Sequence, residues 1–288
     1  MLKYLIMLNI MFVSALSEAK TIIFDLHGVL LERCTQRTAS HLGYLNCGSY
    51  YMSSSFNLED RCQEFLKLLE QHETASKLKD QPMPKVIAEW LKGEKKAADM
   101  IKEIKHHADK AKDFFQSNLE ETLIRSVIDL MSPEKLAFVV KPMKDMARLV
   151  EECKIQTDKN GKPKHNLLIL SNWDKESFPL VKKKCKKLFR HFDEKNIIIS
   201  GEINMLKPDK SIYEHIIKKY KLDPKDCVYI DDQEENTKVA SSDFKIESIH
   251  HKDYKTTRQK LIDLGFIEDK RKAKSKTKTN VSFKKLFE

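Results

Sequence analysis

No apolar run in this 288-residue sequence reaches the about 20 residues that a membrane-spanning helix needs, so no stable membrane span is expected. Nor do the six cysteines, at positions 34, 47, 62, 153, 185 and 227, fall at zinc-ligand spacings. A net charge of +10 is carried alongside 43 acidic residues, which leaves a mixed surface, no dense basic stripe and no specific nucleic-acid partner to expect. Much of the excess sits in one place. From Glu268 to Glu288 there are eight basic residues against three acidic ones, a tail almost free of apolar residues until Phe283 and expected to be disordered.

The amino terminus is short and processed in appearance. Lys3 gives a positive start, Tyr4 to Leu16 is apolar apart from Asn9 and Ser14, and Ser17-Glu18-Ala19 offers a small-x-small cleavage site. This pattern resembles a secretory signal peptide, so residues 1–19 are expected to be removed and the protein exported. An uncleaved anchor or an ordinary buried segment are the other readings, and the last of these would leave the protein in the cytoplasm. In an oxidising compartment six cysteines permit up to three disulfides, although Cys153, Cys185 and Cys227 lie among apolar residues where a buried free thiol is the plainer expectation.

Length allows one large or two modest domains, each with its own core. Thr21-Ile22-Ile23-Phe24 is a β-branched, apolar run without polar alternation, which reads as a strand buried on both faces of a parallel sheet. It ends on Asp25, and Gly28 supplies the turn that carries the chain away. In open α/β sheets ligands bind beyond the carboxyl ends of strands, so Asp25 is placed for chemistry rather than for packing. Capping of a following helix is the plain alternative for each such acid.

From 32 to 142 the pattern is helical. Four stripes stand out: Leu58, Cys62, Phe65, Leu66 and Leu69; Val86, Ile87, Trp90 and Leu91; Ile101, Ile104, Ala108, Ala111 and Phe115; and Leu119, Leu123, Val127 and Leu130. Between Arg33 and Phe56 the periodicity is poor, and a loop reaching toward a pocket is expected there. After Pro142 strands and helices alternate again. Leu167 to Leu170 ends on Ser171-Asn172, Ile197 to Ser200 leads to Lys207-Pro208, Cys227 to Ile230 ends on Asp231-Asp232, and Lys245 to Ile249 is a fifth strand. The expected fold is therefore α/β, a Rossmann-like parallel sheet over 20–31 and 143–267 with a helical subdomain over 32–142 inserted after the first strand.

Four strands thus bring an acid, a hydroxyl, a lysine and an acid pair to one rim. Phe24-Asp25-Leu26-His27-Gly28-Val29-Leu30, Leu170-Ser171-Asn172, Lys207-Pro208 with Asp209 and Tyr213, and Tyr229-Ile230-Asp231-Asp232 through Asn236 resemble the four motifs of the haloacid dehalogenase-like hydrolases. The resemblance is to the branch with a helical cap after the first strand, as in sugar-phosphate phosphatases and the phosphatase domain of epoxide hydrolases. It implies a magnesium-dependent phosphatase acting on small phosphorylated substrates. Asp25 would be the nucleophile that forms an aspartyl-phosphate. Magnesium would be held by Asp25, the His27 backbone carbonyl and Asp232, with Asp231 in support. Ser171 and Asn172 would bind the phosphoryl group and Lys207 would neutralise its charge.

One residue departs from the pattern. Two positions after the nucleophile the family's phosphatases usually carry a second aspartate, the acid that protonates the leaving oxygen, and here His27 stands in its place. Imidazole has the chemistry for that task. Alternatively the site is weakened, and the protein binds phosphate-bearing ligands without turning them over. A dehalogenase-type hydrolysis is the third reading, which the acid pair disfavours because it needs no cation.

Overall fold

The computed structural model describes residues 19–54, 57–71, 77–78 and 81–268. The expected leader, apart from Ala19, and the basic tail beyond Glu268 lie outside them. In chain order the strands are β1 (Lys20–Phe24), β2 (Leu31–Arg33), β3 (Lys77–Leu78), β4 (Gln81–Pro82), β5 (Val140–Pro142), β6 (His165–Ser171), β7 (Ile197–Ile199), β8 (Cys227–Asp231) and β9 (Glu247–His250). Five of them form one parallel sheet in the order β7-β6-β1-β8-β9. The first strand lies at its centre, which is why it reads as apolar throughout.

Period-2 alternation divides its side chains between two cores. Ile22 and Phe24, with Leu167, Ile169, Val228 and Ile230, pack under the helices Lys144–Lys154, Phe178–Lys184 and Tyr254–Asp263. Ile23, with Leu168, Leu170 and Tyr229, packs under Lys210–Tyr220 and Glu234–Phe244. Register fixes what happens at the rim. Phe24 lies level with Ile169 on one side and Ile230 on the other, so Asp25, Ser171 and Asp231 reach the carboxyl edge together.

Beyond β1 the chain winds tightly, the amides of Leu30 and Leu31 both returning to the Leu26 carbonyl, and then crosses to the helical block through β2. It comes back through β5, antiparallel to β2, so that the two connections form a single two-stranded joint. The block between them has a core of its own, built from Phe65, Ile87, Trp90, Met100, Ile104, Leu123 and Ile128 among others. Inside it the buried Arg61 guanidinium pairs with Glu120 and Glu64 and donates to the Phe114 carbonyl at 2.7 Å.

The stretch expected to be a loop is instead two helices, Thr35–Leu42 and Tyr44–Ser53, parted at Gly43 where φ is +85°. Only Leu42 and Tyr50 of their residues are buried, while Tyr44, Leu45, Tyr51 and Met52 face outward. A helix that buries so narrow a face leaves little apolar periodicity to read. All six cysteines are free thiols, and burial pushes those of Cys62, Cys153 and Cys227 up to about 12. Among the described residues no helix is long and apolar enough to cross a membrane.

The block is seated on the sheet's rim by a few polar contacts and one apolar plug. Ser200 Oγ donates to the Leu91 carbonyl at 2.7 Å, Lys175 Nζ to that of Gly93 at 2.7 Å, and Ala97 N donates to Glu176 Oε2 at 2.6 Å. Leu206, wholly buried, leaves the sheet domain to join the helical core. Leu206→Ala is expected to cost about 2–5 kcal/mol, the usual toll of a cavity at a buried leucine, read from urea unfolding.

Candidate active site

The site is built from the first residues beyond four strands. Asp25 follows β1, Ser171 ends β6, Lys207 sits in the loop after β7 and the helix Ser200–Ile203, and Asp231 ends β8 with Asp232 next to it. Lys207 is the centre of the group. Its ammonium, 2% exposed, lies 2.8 Å from Asp25 Oδ1 and 2.6 Å from Asp231 Oδ2. Burial works against that charge, yet Asp231 and Asp25 outweigh it and hold the lysine's pKa above its ordinary value.

Asp231 and Asp232 are neighbours in sequence with different surroundings. Asp231 is fully buried, and its oxygens accept from Lys207, from the Tyr229 hydroxyl, from Gln233 N at 2.8 Å and from Asn236 Nδ2 at 3.0 and 3.1 Å. Asp232 is half-buried and its carboxylate leans onto Gly28, where φ is +81° and a Cβ would lie 2.1 Å from Oδ2. Only glycine fits there. His250 Nε2 lies 3.0 Å from the Asp232 backbone carbonyl and fixes this turn from behind.

Carboxylate oxygens of Asp25, Asp231 and Asp232 lie within 4.8 Å of one another. Three carboxylates face one ammonium, and the excess negative charge is felt. Desolvation, then the opposing pull of Lys207 and the push of Asp231, leave Asp25 raised from 3.8 to about 6. Desolvation together with Asp25 and Asp231 raises Asp232 to about 7. An all-oxygen donor set that repels itself in this way fits a hard divalent cation, which would offset the surplus. The His27 ring does not join the trio.

Ser171, 1% exposed, hydrogen-bonds Asp25. Asn172, expected to contact substrate, commits its carboxamide to the neighbouring loop: Nδ2 donates to the Lys207 carbonyl at 2.9 Å and Oδ1 accepts from Lys207 N at 2.8 Å. It positions the lysine. His27 stands in the loop after β1 with its ring 6.5 Å from that of Trp173. Protein mass around it, and then the charge of Arg33, push its pKa down to about 4, so the ring is neutral near pH 7. Tyr229 and Asn236 were visible in the sequence only as motif neighbours. The signal for Tyr229 is its spacing, since two residues before Asp231 on a strand puts both on one face.

These shifts set a pH dependence. With pKa values of about 6 and about 7 against an ordinary 3.8, Asp25 and Asp232 make the folded chain bind more protons than the unfolded one from about pH 4 upward. Their contribution to stability is thus fully present below about pH 4 and is lost as pH rises through about 6 and 7. In thermal unfolding with a chelator, the site should therefore lower the midpoint across that range, and Asp232→Asn should flatten the fall. Added divalent cation should do the opposite, its stabilisation growing between about pH 5 and about pH 8 as protons cease to compete. Gly28→Ala should weaken cation binding by about 10-fold or more by titration calorimetry, because it drives the Asp232 carboxylate aside.

Comparison with known proteins agrees with this architecture. The family model of the haloacid dehalogenase-like hydrolases matches residues 19–242. Among solved structures, a HAD family enzyme from Bacteroides thetaiotaomicron is similar with a TM-score of 0.50 and 19% identity, over 81% of this chain and 93% of that one. An aspartate-to-alanine mutant of that enzyme, in complex with magnesium and inorganic phosphate, is similar with a TM-score of 0.51 and 18% identity, over 82% of this chain and 95% of that one. A search of curated protein sequences gave no match. With more than half its length matched by the family model, the chain belongs to the haloacid dehalogenase-like hydrolases.

Proposed function

We propose that this hydrolase is a magnesium-dependent phosphatase that acts on small phosphomonoesters through an aspartyl-phosphate on Asp25. The observation that carries the reading is the Asp25–Lys207–Asp231 bridge with Asp232 beside it: a nucleophile, a cation for the phosphoryl oxygens and a carboxylate set for a metal, all on one rim. The magnesium and phosphate bound by the mutant of the similar Bacteroides enzyme support it. So does the acid pair against a dehalogenase, whose chemistry at carbon calls for no metal.

In this mechanism an Asp25 oxygen attacks phosphorus and the bond to the ester oxygen breaks. The departing oxygen takes a proton. Water then attacks the same phosphorus, the bond to Asp25 breaks, and phosphate leaves with the carboxylate restored. Lys207 and the Ser171 hydroxyl stabilise the charge gathered on the phosphoryl oxygens, and Asn172 holds the lysine at its station. Magnesium held by Asp25 and Asp232, with Asp231 in support, would offset the repulsion between the nucleophile and an anionic substrate.

The proton for the leaving oxygen is where this chain differs from its family. A ring with a pKa pushed down to about 4 holds little imidazolium at neutral pH, which favours a second reading beside the first: a site that binds phosphate esters well and turns over poor leaving groups slowly. A panel of phosphomonoesters with and without magnesium tests the function. Asp25→Asn should abolish turnover while thermal unfolding shows a folded chain, and normal activity in that variant would exclude the mechanism. Activated aryl phosphates, whose anions leave unaided, should be hydrolysed faster than alkyl phosphates. His27→Asp should raise kcat on alkyl phosphates by about 10²-fold and leave the aryl substrates nearly unchanged, the usual worth of a general acid. An equal change on both classes would remove leaving-group protonation from the account of position 27.

A further inference from the structure

Charged residues make up 33% of this chain, yet from Leu42 to Leu58 seventeen residues follow one another with no acid, base or histidine, the longest such stretch it has. The helix Tyr44–Ser53 lies within it, on the outside of the helical block. A helix in that position ordinarily turns a charged face to water. This one turns Tyr44, Leu45, Tyr51 and Met52 outward, with Leu45 87% and Met52 92% exposed. Gly48 completes the same face, since positions 44, 45, 48, 51 and 52 follow the helical repeat.

Two details suit this face to contact. The Tyr44 hydroxyl donates to the Gln36 carbonyl at 3.0 Å and the Tyr51 ring stands edge-on to that of Tyr50 at 6.3 Å, so both rings are held in position without a partner. Gly48 is the other. Glycine inside a helix is unfavourable, and a Cβ here would meet nothing within 4 Å among the described residues, so the packing of this chain gives no reason for it. A backbone approaching from outside would give one.

We propose that this face pairs with the same face of a second copy of the chain, the two helices crossing antiparallel at Gly48 about a two-fold axis. Residues equally far before and after the axis then meet. Tyr44 faces Met52 of the second copy and Leu45 faces Tyr51 of the second copy, so the four outward side chains form aromatic–aliphatic pairs with none left over. Near such an axis each residue lies close to its own image, where a charge would repel itself; for two copies that each carry +10, a charge-free stretch is the surface on which they can meet. A membrane is the poorer match, because it would ask for basic residues beside the apolar ones and 42–58 holds none. The four side chains offer roughly 600 Å² per copy, and the exposed Asn46, Ser49 and Ser53 around them bring the patch to about the 800 Å² that each partner gives a standard interface.

Sedimentation equilibrium of the full chain at micromolar concentration should return the mass of two chains. Gly48→Glu sets two carboxylates against each other on the axis and should weaken pairing by about 100-fold or more, while circular dichroism shows an unchanged fold because open space awaits the side chain. Leu45→Lys and Tyr51→Glu should each separate the copies as well. Combined in one chain they should restore the dimer, since each lysine then faces a glutamate of the second copy, and positions six apart do not meet within one helix. A wild type that sediments as one chain, including one that binds neutral vesicles through this face, overturns the inference, as does a dimer untouched by Gly48→Glu. Single variants that separate, with a double variant that fails to rejoin, overturn the antiparallel crossing at Gly48.

Discussion

Everything at the rim of this sheet depends on one buried ammonium. Lys207 lies between Asp25 and Asp231, each of which is itself buried, and taking charges out of water is costly unless they face a partner. Without the lysine, two carboxylates would confront each other with no cation among their neighbours, and without either acid the lysine would lose half of what holds it. The bridge therefore fixes the distance between the ends of β1 and β8 and draws the loop after β7 across them. Hydrophobic residues of the same volume would fill this space at lower cost. That the chain keeps charges here is a mark of function over stability.

The same loops also seat the helical block. Leu206, one residue before the lysine, is part of the block's core, while Asn172 ties the lysine's backbone to the end of β6, and the next residues, Trp173 to Glu176, reach the block through Lys175 and Glu176. Gly93 and Gly201 meet so closely that a Cβ on the first would lie 2.3 Å from the carbonyl oxygen of the second. Binding groups and the seat of the block are thus parts of one piece of backbone. A displacement of the block by an ångström would be transmitted to Lys207 through a single peptide unit, and the phosphoryl transfer proposed above, which depends on placement more than on covalent help, would register it.

How far the sequence could be read follows from which faces are buried. The central strands were legible because both of their faces are covered, which leaves an unbroken apolar run that has to stop where the sheet stops, on Asp25, Ser171 and Asp231. The helices Thr35–Leu42 and Tyr44–Ser53 were not, since they lie on the outside of the block and turn large apolar residues to solvent. Side chains whose meaning depends on a distant partner were harder still. Asn172 is followed by no feature that names Lys207, 35 positions away, as its target.

The acid pair shows the same limit at the smallest scale. Asp231 and Asp232 are indistinguishable as letters, but successive residues at a strand end point to opposite sides, and that difference assigns them separate tasks. Asp231 turns toward Tyr229 and Lys207 into a setting where donors occupy both oxygens, so it can hold the lysine but has little left to offer a metal. Asp232 turns toward the open rim, with Gly28 beneath it and a carboxylate raised to about 7 because burial and two neighbouring acids penalise its charge. A group in that state gains most from a cation. Of the two acids the less buried one is therefore the better placed to meet a cation, while the more buried one, through Lys207, holds Asp25 in place.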